Sequence, residues 1–168
     1  MRGPGIASAL MTRIEGRLAE QGISLPAPLA APPGVELPFE LVRASKDHAY
    51  VSGHVPMDGD KVLFQGKVGG DVTLEQAQEA ARATGLSMLA ALQQELGDLD
   101  RVIRWVKALG LVNCAPGFNQ MPAVINGFTN LIIDLWGPDA GAHARSAIGV
   151  AELPFDVPVE IEAIVEIV

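Results

Sequence analysis

Cysteine and aromatic residues are scarce in this sequence. Cys114 is the only cysteine among 168 residues, which excludes an intrachain disulfide and a zinc site with several cysteine ligands. Five Phe, two Trp and one Tyr leave the core to be built mostly from Ala, Val, Leu and Ile. The length suffices for one hydrophobic core and is too short for two ordinary domains.

Basic residues and long apolar runs are also few. Twelve Lys and Arg against 20 Asp and Glu give a formal net charge of −8. Because binding to a phosphate backbone requires Lys and Arg to neutralise it, we expect no nucleic-acid partner. No apolar run is long enough to span a membrane. The first ten residues lack the pattern of a signal peptide, so the expected location is cytoplasmic.

The N-terminal residues 1–34 are predicted to form an extension to a domain at residues 35–168. The capping-box pattern at 12–15 predicts a short helix that ends before Gly22. The Pro-rich stretch at 25–34 predicts an extended connector. Little of this extension is patterned for deep burial.

Residues 35–168 alternate between strand and helix patterns. The predicted strands lie near residues 37–43, 48–54, 61–65 and 101–113, with two more between residues 143 and 168. One helix begins at the capping box of Thr73 and Gln76 and ends at Gly97. A second begins near Pro122 and ends at Gly137. This order predicts an α+β fold, in which two helices pack on one face of a mixed sheet.

The predicted strand at 101–113 is apolar on both faces. Val106, Leu109, Leu111 and Val112 cannot all lie under helices if the strand alternates. Since an exposed apolar sheet face is an association surface, we expect the chain to self-associate.

The C-terminal residues 143–168, HARSAIGVAELPFDVPVEIEAIVEIV, set one arginine and several carboxylates into two strands. Small residues, Ala147 and Gly149, share a strand face with Arg145. A guanidinium with small neighbours has room to bind a planar carboxylate. No cluster of His, Asp and Glu has metal-ligand spacing, so no metal is expected.

Three segments resemble the RidA (YjgF-type) family of reactive-intermediate deaminases. Residues 144–164 follow the signature A-R-S-x-x-x-V-x-x-L-P-x-x-x-x-(V/I)-E-I-E-A-I without a gap. Residues 50–56 are similar to the (I/V)-x-S-G-Q-(I/V)-P element, with His54 in place of Gln, and residues 100–113 resemble the family's central strand. The resemblance covers roughly residues 36–168.

The resemblance implies a chorismate-mutase-like fold and a ring-shaped homotrimer with clefts between subunits. It implies hydrolysis of enamine and imine acids of the 2-aminoacrylate, 2-iminopropanoate and 2-iminobutanoate types to 2-keto acids and ammonia, with no metal or organic cofactor. One alternative is a non-catalytic trimer that binds small carboxylates or acts as a chaperone-like module. A ribonuclease is a further alternative, which the charge disfavours.

The resemblance also implies roles for residues of the last two strands. Arg145 would hold the substrate carboxylate and Glu160 would hold or activate water, while backbone groups of Ser146 and Ala147 orient the imine. Alternatively, Arg145 caps carbonyls or pairs with Asp139 or Glu160. Glu160 could also be an interface salt-bridge partner. Ala147 replaces a cysteine common in the family, so any role of that thiol is absent.

Three further residues, Gly53, Asn126 and Phe39, complete the candidate site. Gly53 would shape the turn at the mouth of the cleft or simply form that turn. Asn126 is either a pocket residue or an ordinary polar helix residue, and Phe39 is either a pocket aromatic or a core aromatic. We expect His54 to be a surface histidine at a strand end.

Overall fold

The computed structural model describes residues 13–31 and 33–168. The predicted helix cap Thr12 lies outside the described residues. The helices are α1 (Arg13–Glu20), α2 (Leu74–Leu96), α3 (Met121–Trp136) and the short α4 (Pro138–Gly141). The strands are β1 (Val42–Ser45), β2 (His48–His54), β3 (Met57–Asp58), β4 (Lys61–Val62), β5 (Val102–Asn113), β6 (Ala144–Val150) and β7 (Val159–Ile167).

Five strands form one mixed sheet in the order β1-β2-β7-β5-β6. β5 and β6 run parallel, and the other neighbouring pairs are antiparallel. Helices α2 and α3 pack against each other and over one face of the sheet. This arrangement confirms the predicted α+β fold.

Local signals placed the helix ends correctly. Thr73 Oγ1 accepts a hydrogen bond from the N–H of Gln76, whose side chain accepts one from the N–H of Thr73. Gly97 ends α2 in the left-handed conformation, at φ +80°. Pro122 lies in the first turn of α3. The predicted apolar stripe of α3 is buried and consists of Val124, Ile125, Phe128, Leu131, Ile132 and Leu135.

The first strands are shorter than predicted. β1 begins at Val42 rather than near residue 37, and the preceding residues are exposed except for half-buried Leu41. Pro38 has no N–H to contribute to a ladder, which explains why the apolar pattern there does not form a strand. The predicted hairpin partner at 61–65 is reduced to β4, which pairs with β3 in a separate two-stranded sheet.

The sheet face opposite the helices carries exposed apolar side chains. Tyr50, Ile103, Val106 and Ile148 are each more than one third exposed. Leu109 and Leu111 are half-buried, whereas Val112 is buried. The prediction that these β5 side chains cannot all lie under helices is therefore confirmed. We call this surface the open face.

Helix α1 is anchored to the rest of the fold. The N–H groups of Arg13 and Ile14 donate to the carboxylate of Asp100 at 2.7 and 3.0 Å, so a side chain distant in sequence accepts from the first turn. Ile14 is fully buried and Leu18 is buried in the main core. The expectation that little of the extension is deeply buried is wrong here, because these two residues, four apart, share one helix face.

The connector after α1 is extended, as predicted, and follows the β3–β4 hairpin. The N–H of Ala27 donates to Asp58 Oδ1 at 2.8 Å, and its carbonyl accepts from the N–H of Gly59 at 3.0 Å. The N–H of Ala30 donates to the carbonyl of Gly59 at 3.3 Å. These contacts hold the connector against the domain. None of the helices in the described ranges is long and apolar enough to cross a membrane.

Candidate functional site

Arg145 lies on the edge strand β6, and its side chain reaches helix α3. Nη1 donates to Asn126 Oδ1 and to Thr129 Oγ1, each at 3.0 Å. Nη2 donates to the carbonyl of Pro122 at 3.2 Å. We call Pro122, Asn126, Thr129 and Arg145 the arginine cluster. All three acceptors are neutral oxygens, and a guanidinium has five N–H donors, so the cluster orients the cation and leaves donors for a ligand.

The charge of Arg145 has no anionic partner in the described part of the chain. No carboxylate of residues 13–31 or 33–168 lies within 4.0 Å of its guanidinium. The alternative of a salt bridge with a carboxylate is therefore wrong within one chain, whereas the capping of a carbonyl is correct for Pro122. Partial burial lowers the pKa of Arg145. A bound anion would compensate for that loss of solvation.

A second layer of hydrogen bonds supports Arg145. His143 Nδ1 lies 2.8 Å from the carbonyl of Gly141, which can only accept, so Nδ1 carries the proton. In neutral His143, Nε2 then accepts from the hydroxyl of Thr129 at 3.3 Å, and Thr129 accepts from Arg145. Burial and the Arg145 charge both lower the pKa of His143, which favours this neutral form.

Sequence reasoning missed both Thr129 and His143. The available signal was the spacing of Asn126 and Thr129, because residues three apart lie on the same face of a helix. Nothing in the sequence pattern indicated that His143 would pack edge-on against Phe128, with ring centroids 5.5 Å apart.

Glu160 lies on β7 and faces away from the helices, directly over Gly53. A Cβ atom at Gly53 would lie 2.0 Å from Glu160 Oε1. Only glycine leaves room for the carboxylate at this point, which explains why this residue type is needed. Burial, and secondarily the charge of Glu162, raise the pKa of Glu160. A carboxylate with a raised pKa is suited to accept and return a proton near neutrality.

Gly53, Glu160 and Phe39 line one cavity of about 320 Å³, which we call the carboxylate pocket. Phe39 is 54% exposed, so the alternative of a core aromatic is wrong. Most of the remaining lining is apolar. The pocket thus combines the half-buried carboxylate of Glu160 with a hydrophobic interior.

The arginine cluster and the carboxylate pocket lie on opposite faces of the sheet. Arg145 pairs with Ala108 of β5, which is buried under the helices. Glu160 pairs with Leu111 of β5, which lies on the open face. One chain therefore does not bring Arg145 and Glu160 together around a small ligand.

Ser146 and Ala147 flank Arg145 without sharing its contacts. Ser146 Oγ accepts from Lys107 Nζ at 3.1 Å. Strand alternation places the side chain of Ser146 on the open face, whereas Ala147 packs against the core on the side of Arg145. Neither side chain joins the arginine cluster, so only their backbone groups are available for the predicted role.

His54 is buried rather than on the surface, and its exposed fraction is 0%. The register of β2 against β7 shifts between Val51 and His54, and such a bulge reverses the alternation of faces. His54 Nδ1 lies 2.7 Å from the carbonyl of Ser52. Burial lowers the pKa of His54. The expectation of a surface histidine is wrong for this reason.

Comparison with known proteins places this arrangement in a family. Residues 15–162 match the family model described as "YjgF/chorismate mutase-like, putative endoribonuclease". Protein TCP17 of Trypanosoma cruzi is 39% identical over 155 residues, which are 92% of this chain and 94% of that protein. The chain belongs to the YjgF (RidA) family.

Two solved structures are similar to this chain over most of its length. The protein Atu1372 from Agrobacterium tumefaciens, described as of unknown function, is 41% identical with a TM-score of 0.82; 93% of this chain and 94% of that chain are covered. A protein from Shewanella oneidensis described as a "putative endoribonuclease" is 26% identical, with a TM-score of 0.84 and coverage of 93% and 100%. The match to the family model includes most of α1, so the YjgF family resemblance extends beyond residues 36–168.

Proposed function

We propose that this YjgF family member hydrolyses reactive enamine and imine acids to 2-keto acids and ammonia. The proposal rests on the environments of two residues, Arg145 and Glu160. Arg145 is a partly buried cation that is oriented by neutral oxygens, and Glu160 is a half-buried carboxylate with a raised pKa. Arg145 can bind a substrate carboxylate. Glu160 can accept a proton from the attacking water molecule.

We propose further that the site forms between neighbouring copies in a homotrimer. Since Arg145 and Glu160 face opposite sides of the sheet, a small substrate can contact both only if they come from different subunits. The exposed apolar residues of the open face provide a surface that association would bury. The family resemblance supplies the ring-shaped trimer as the form of that assembly.

The proposed reaction begins with a 2-imino acid whose carboxylate is held by Arg145. Fixing the carboxylate lowers the entropic part of the barrier. Water attacks the carbon of the protonated imine as Glu160 accepts one of its protons, which gives a neutral carbinolamine. Glu160 returns that proton to the nitrogen, and the C–N bond breaks to release ammonia. The hydroxyl becomes the keto group as its proton passes through the Glu160 carboxylate to ammonia, which leaves as ammonium. Asn126 and Thr129 keep the guanidinium of Arg145 in place through these steps.

Substitution of Glu160 by Gln tests the catalytic role. Gln keeps the shape of Glu but cannot accept the proton, so the hydrolysis rate should fall about 10²-fold or more. The imine is generated in the assay from alanine by an amino acid oxidase, and its hydrolysis is read from loss of semicarbazide trapping. Glu166→Gln is a matched control, because Glu166 lies on the same face of β7 and its charge does not contribute to the raised pKa of Glu160.

Two outcomes would change the assignment. If Glu160→Gln retains the wild-type rate per folded protein, Glu160 takes no part in the chemistry. If neither variant nor wild type accelerates hydrolysis while pyruvate still binds, the protein is a carboxylate-binding module, which uses Arg145 without a water-activating residue.

A ribonuclease activity is the second candidate, because the family model and the Shewanella relative carry that description. The formal net charge of −8 opposes it, since an RNA-binding surface needs clustered Lys and Arg. Incubation of a labelled RNA with the wild-type protein and with the Glu160→Gln variant decides between the two. Cleavage that depends on Glu160 would favour the nuclease.

A further inference from the structure

The carboxylate pocket is hydrophobic beyond its carboxylate. Apart from Asp60 and Glu160, every lining residue is apolar or glycine. Its floor belongs to a small second core, in which Val55 and Met57 are buried and Leu29 and Val62 pack against them. A pocket of this composition excludes a charged or strongly polar group, because burial of such a group without partners is costly.

One wall of the pocket comes from the N-terminal connector. Leu29, Ala30 and Ala31 line the cavity. The hydrogen bonds from the connector to Asp58 and Gly59 fix that wall against the β3–β4 hairpin. Proline residues restrict the backbone on both sides of it. The wall is therefore formed before a ligand arrives, which reduces the entropic cost of binding.

We propose that this pocket receives the side chain of the substrate, and that the preferred substrate is a 2-imino acid with a large branched aliphatic or aromatic side chain. This inference rests on the proposed function. The imine carbon must lie near Glu160 to be attacked by its water, and the side chain is attached to that same carbon. With the carboxylate held at Arg145, the side chain points into the cavity beside Glu160.

The size of the cavity supports this class of substrate. Its volume of about 320 Å³ lies at the lower end of the roughly 300–1,000 Å³ that is typical of small-molecule sites. The methyl group of 2-iminopropanoate would leave most of it unfilled. Burial of each further methylene group should raise kcat/KM roughly fourfold. The leucine-derived imine, with three more carbons, should therefore exceed 2-iminopropanoate in kcat/KM by at least about tenfold.

The experiment compares kcat/KM for 2-imino-4-methylpentanoate and 2-iminopropanoate, each generated from its amino acid by an oxidase. Ala31→Phe narrows the pocket from its connector wall. Ala27→Phe is the matched control, because Ala27 lies on the same connector, is exposed, and does not line the cavity. We expect Ala31→Phe to lower kcat/KM at least tenfold for the leucine-derived imine and less than threefold for the small one. We expect Ala27→Phe to change neither.

Equal kcat/KM values for the two imines in the wild type would overturn the inference and leave the deaminase proposal intact. An equal loss of kcat/KM for both substrates in the Ala31→Phe variant would also overturn the inference and leave the deaminase proposal intact. If no imine is hydrolysed, the proposed function fails, and calorimetry with 4-methyl-2-oxopentanoate and pyruvate then decides the inference separately. Tighter binding of the branched acid that is lost in Ala31→Phe would support the pocket, and equal affinities would refute it.

Discussion

Substitution of Arg145 by Lys should weaken the binding of small carboxylates while leaving the fold intact. The guanidinium donates to three neutral oxygens, those of Asn126, Thr129 and the carbonyl of Pro122. These contacts fix the plane in which its remaining N–H groups meet a ligand. A lysine ammonium keeps the charge but lacks the planar set of N–H donors of a guanidinium. Its three donors cannot bond the three oxygens and also the ligand.

The magnitude follows from the hydrogen bonds that are lost. A hydrogen bond to a charged group contributes about 1.5–3 kcal/mol. If lysine retains one of two bonds to the carboxylate, the affinity should fall by a factor of roughly 10 to 150. The fold should tolerate the change, because the arginine cluster is partly exposed and water can replace the lost donors.

Isothermal titration with pyruvate measures this effect, and light scattering checks the assembly of each variant. Arg104→Lys is the matched control, because Arg104 is a largely exposed arginine on β5 whose nearest carboxylate, Glu166, lies 4.0 Å away. The control should bind pyruvate as the wild type does. A dissociation constant within twofold of wild type for Arg145→Lys would show that Arg145 does not bind the carboxylate and that the anion site lies elsewhere.

Three further predictions concern assembly, the extension and acid stability. Light scattering should give about three times the chain mass, and a monomer at micromolar concentration would contradict the shared cleft. Ile14→Ala should lower the free energy of unfolding by about 2–5 kcal/mol in urea titrations, since Ile14 is fully buried; a loss below 0.5 kcal/mol would show that α1 is dispensable. His54→Gln should reduce the loss of stability in acid. Because the folded state lowers the pKa of His54 from its ordinary 6.5, the unfolded chain binds more protons and the free energy of unfolding falls below about pH 6.5. Identical acid profiles for the wild type and this variant would contradict that assignment.

Much of the secondary structure could be predicted because its signals are local. Thr73 and Gly97 bound α2 through contacts within a few residues, and the apolar stripe of α3 repeats at helical spacing. β1 begins at Val42, later than the apolar pattern predicts, because Pro38 has no N–H to donate to a neighbouring strand. The family could also be recognised, because the C-terminal signature is a continuous stretch of sequence.

The environments of the site residues depended on tertiary structure. The bulge between Val51 and His54 decided that His54 is buried, and no local pattern marked it. The N–H groups at the start of α1 are bonded by Asp100, a residue more than 80 positions away. Contacts of this kind depend on how separate elements pack, so the sequence of either element alone does not contain them.

The placement of Arg145 and Glu160 on opposite faces of the sheet also depended on tertiary structure. The sequence shows an arginine with small neighbours and a glutamate in an apolar strand, 15 residues apart within one continuous stretch that matches the family signature. Only the register of β5 against both β6 and β7 decided that Arg145 lies under the helices and Glu160 on the open face. Side chains alternate with a period of two, so a shift of one residue in either pairing would have reversed that outcome.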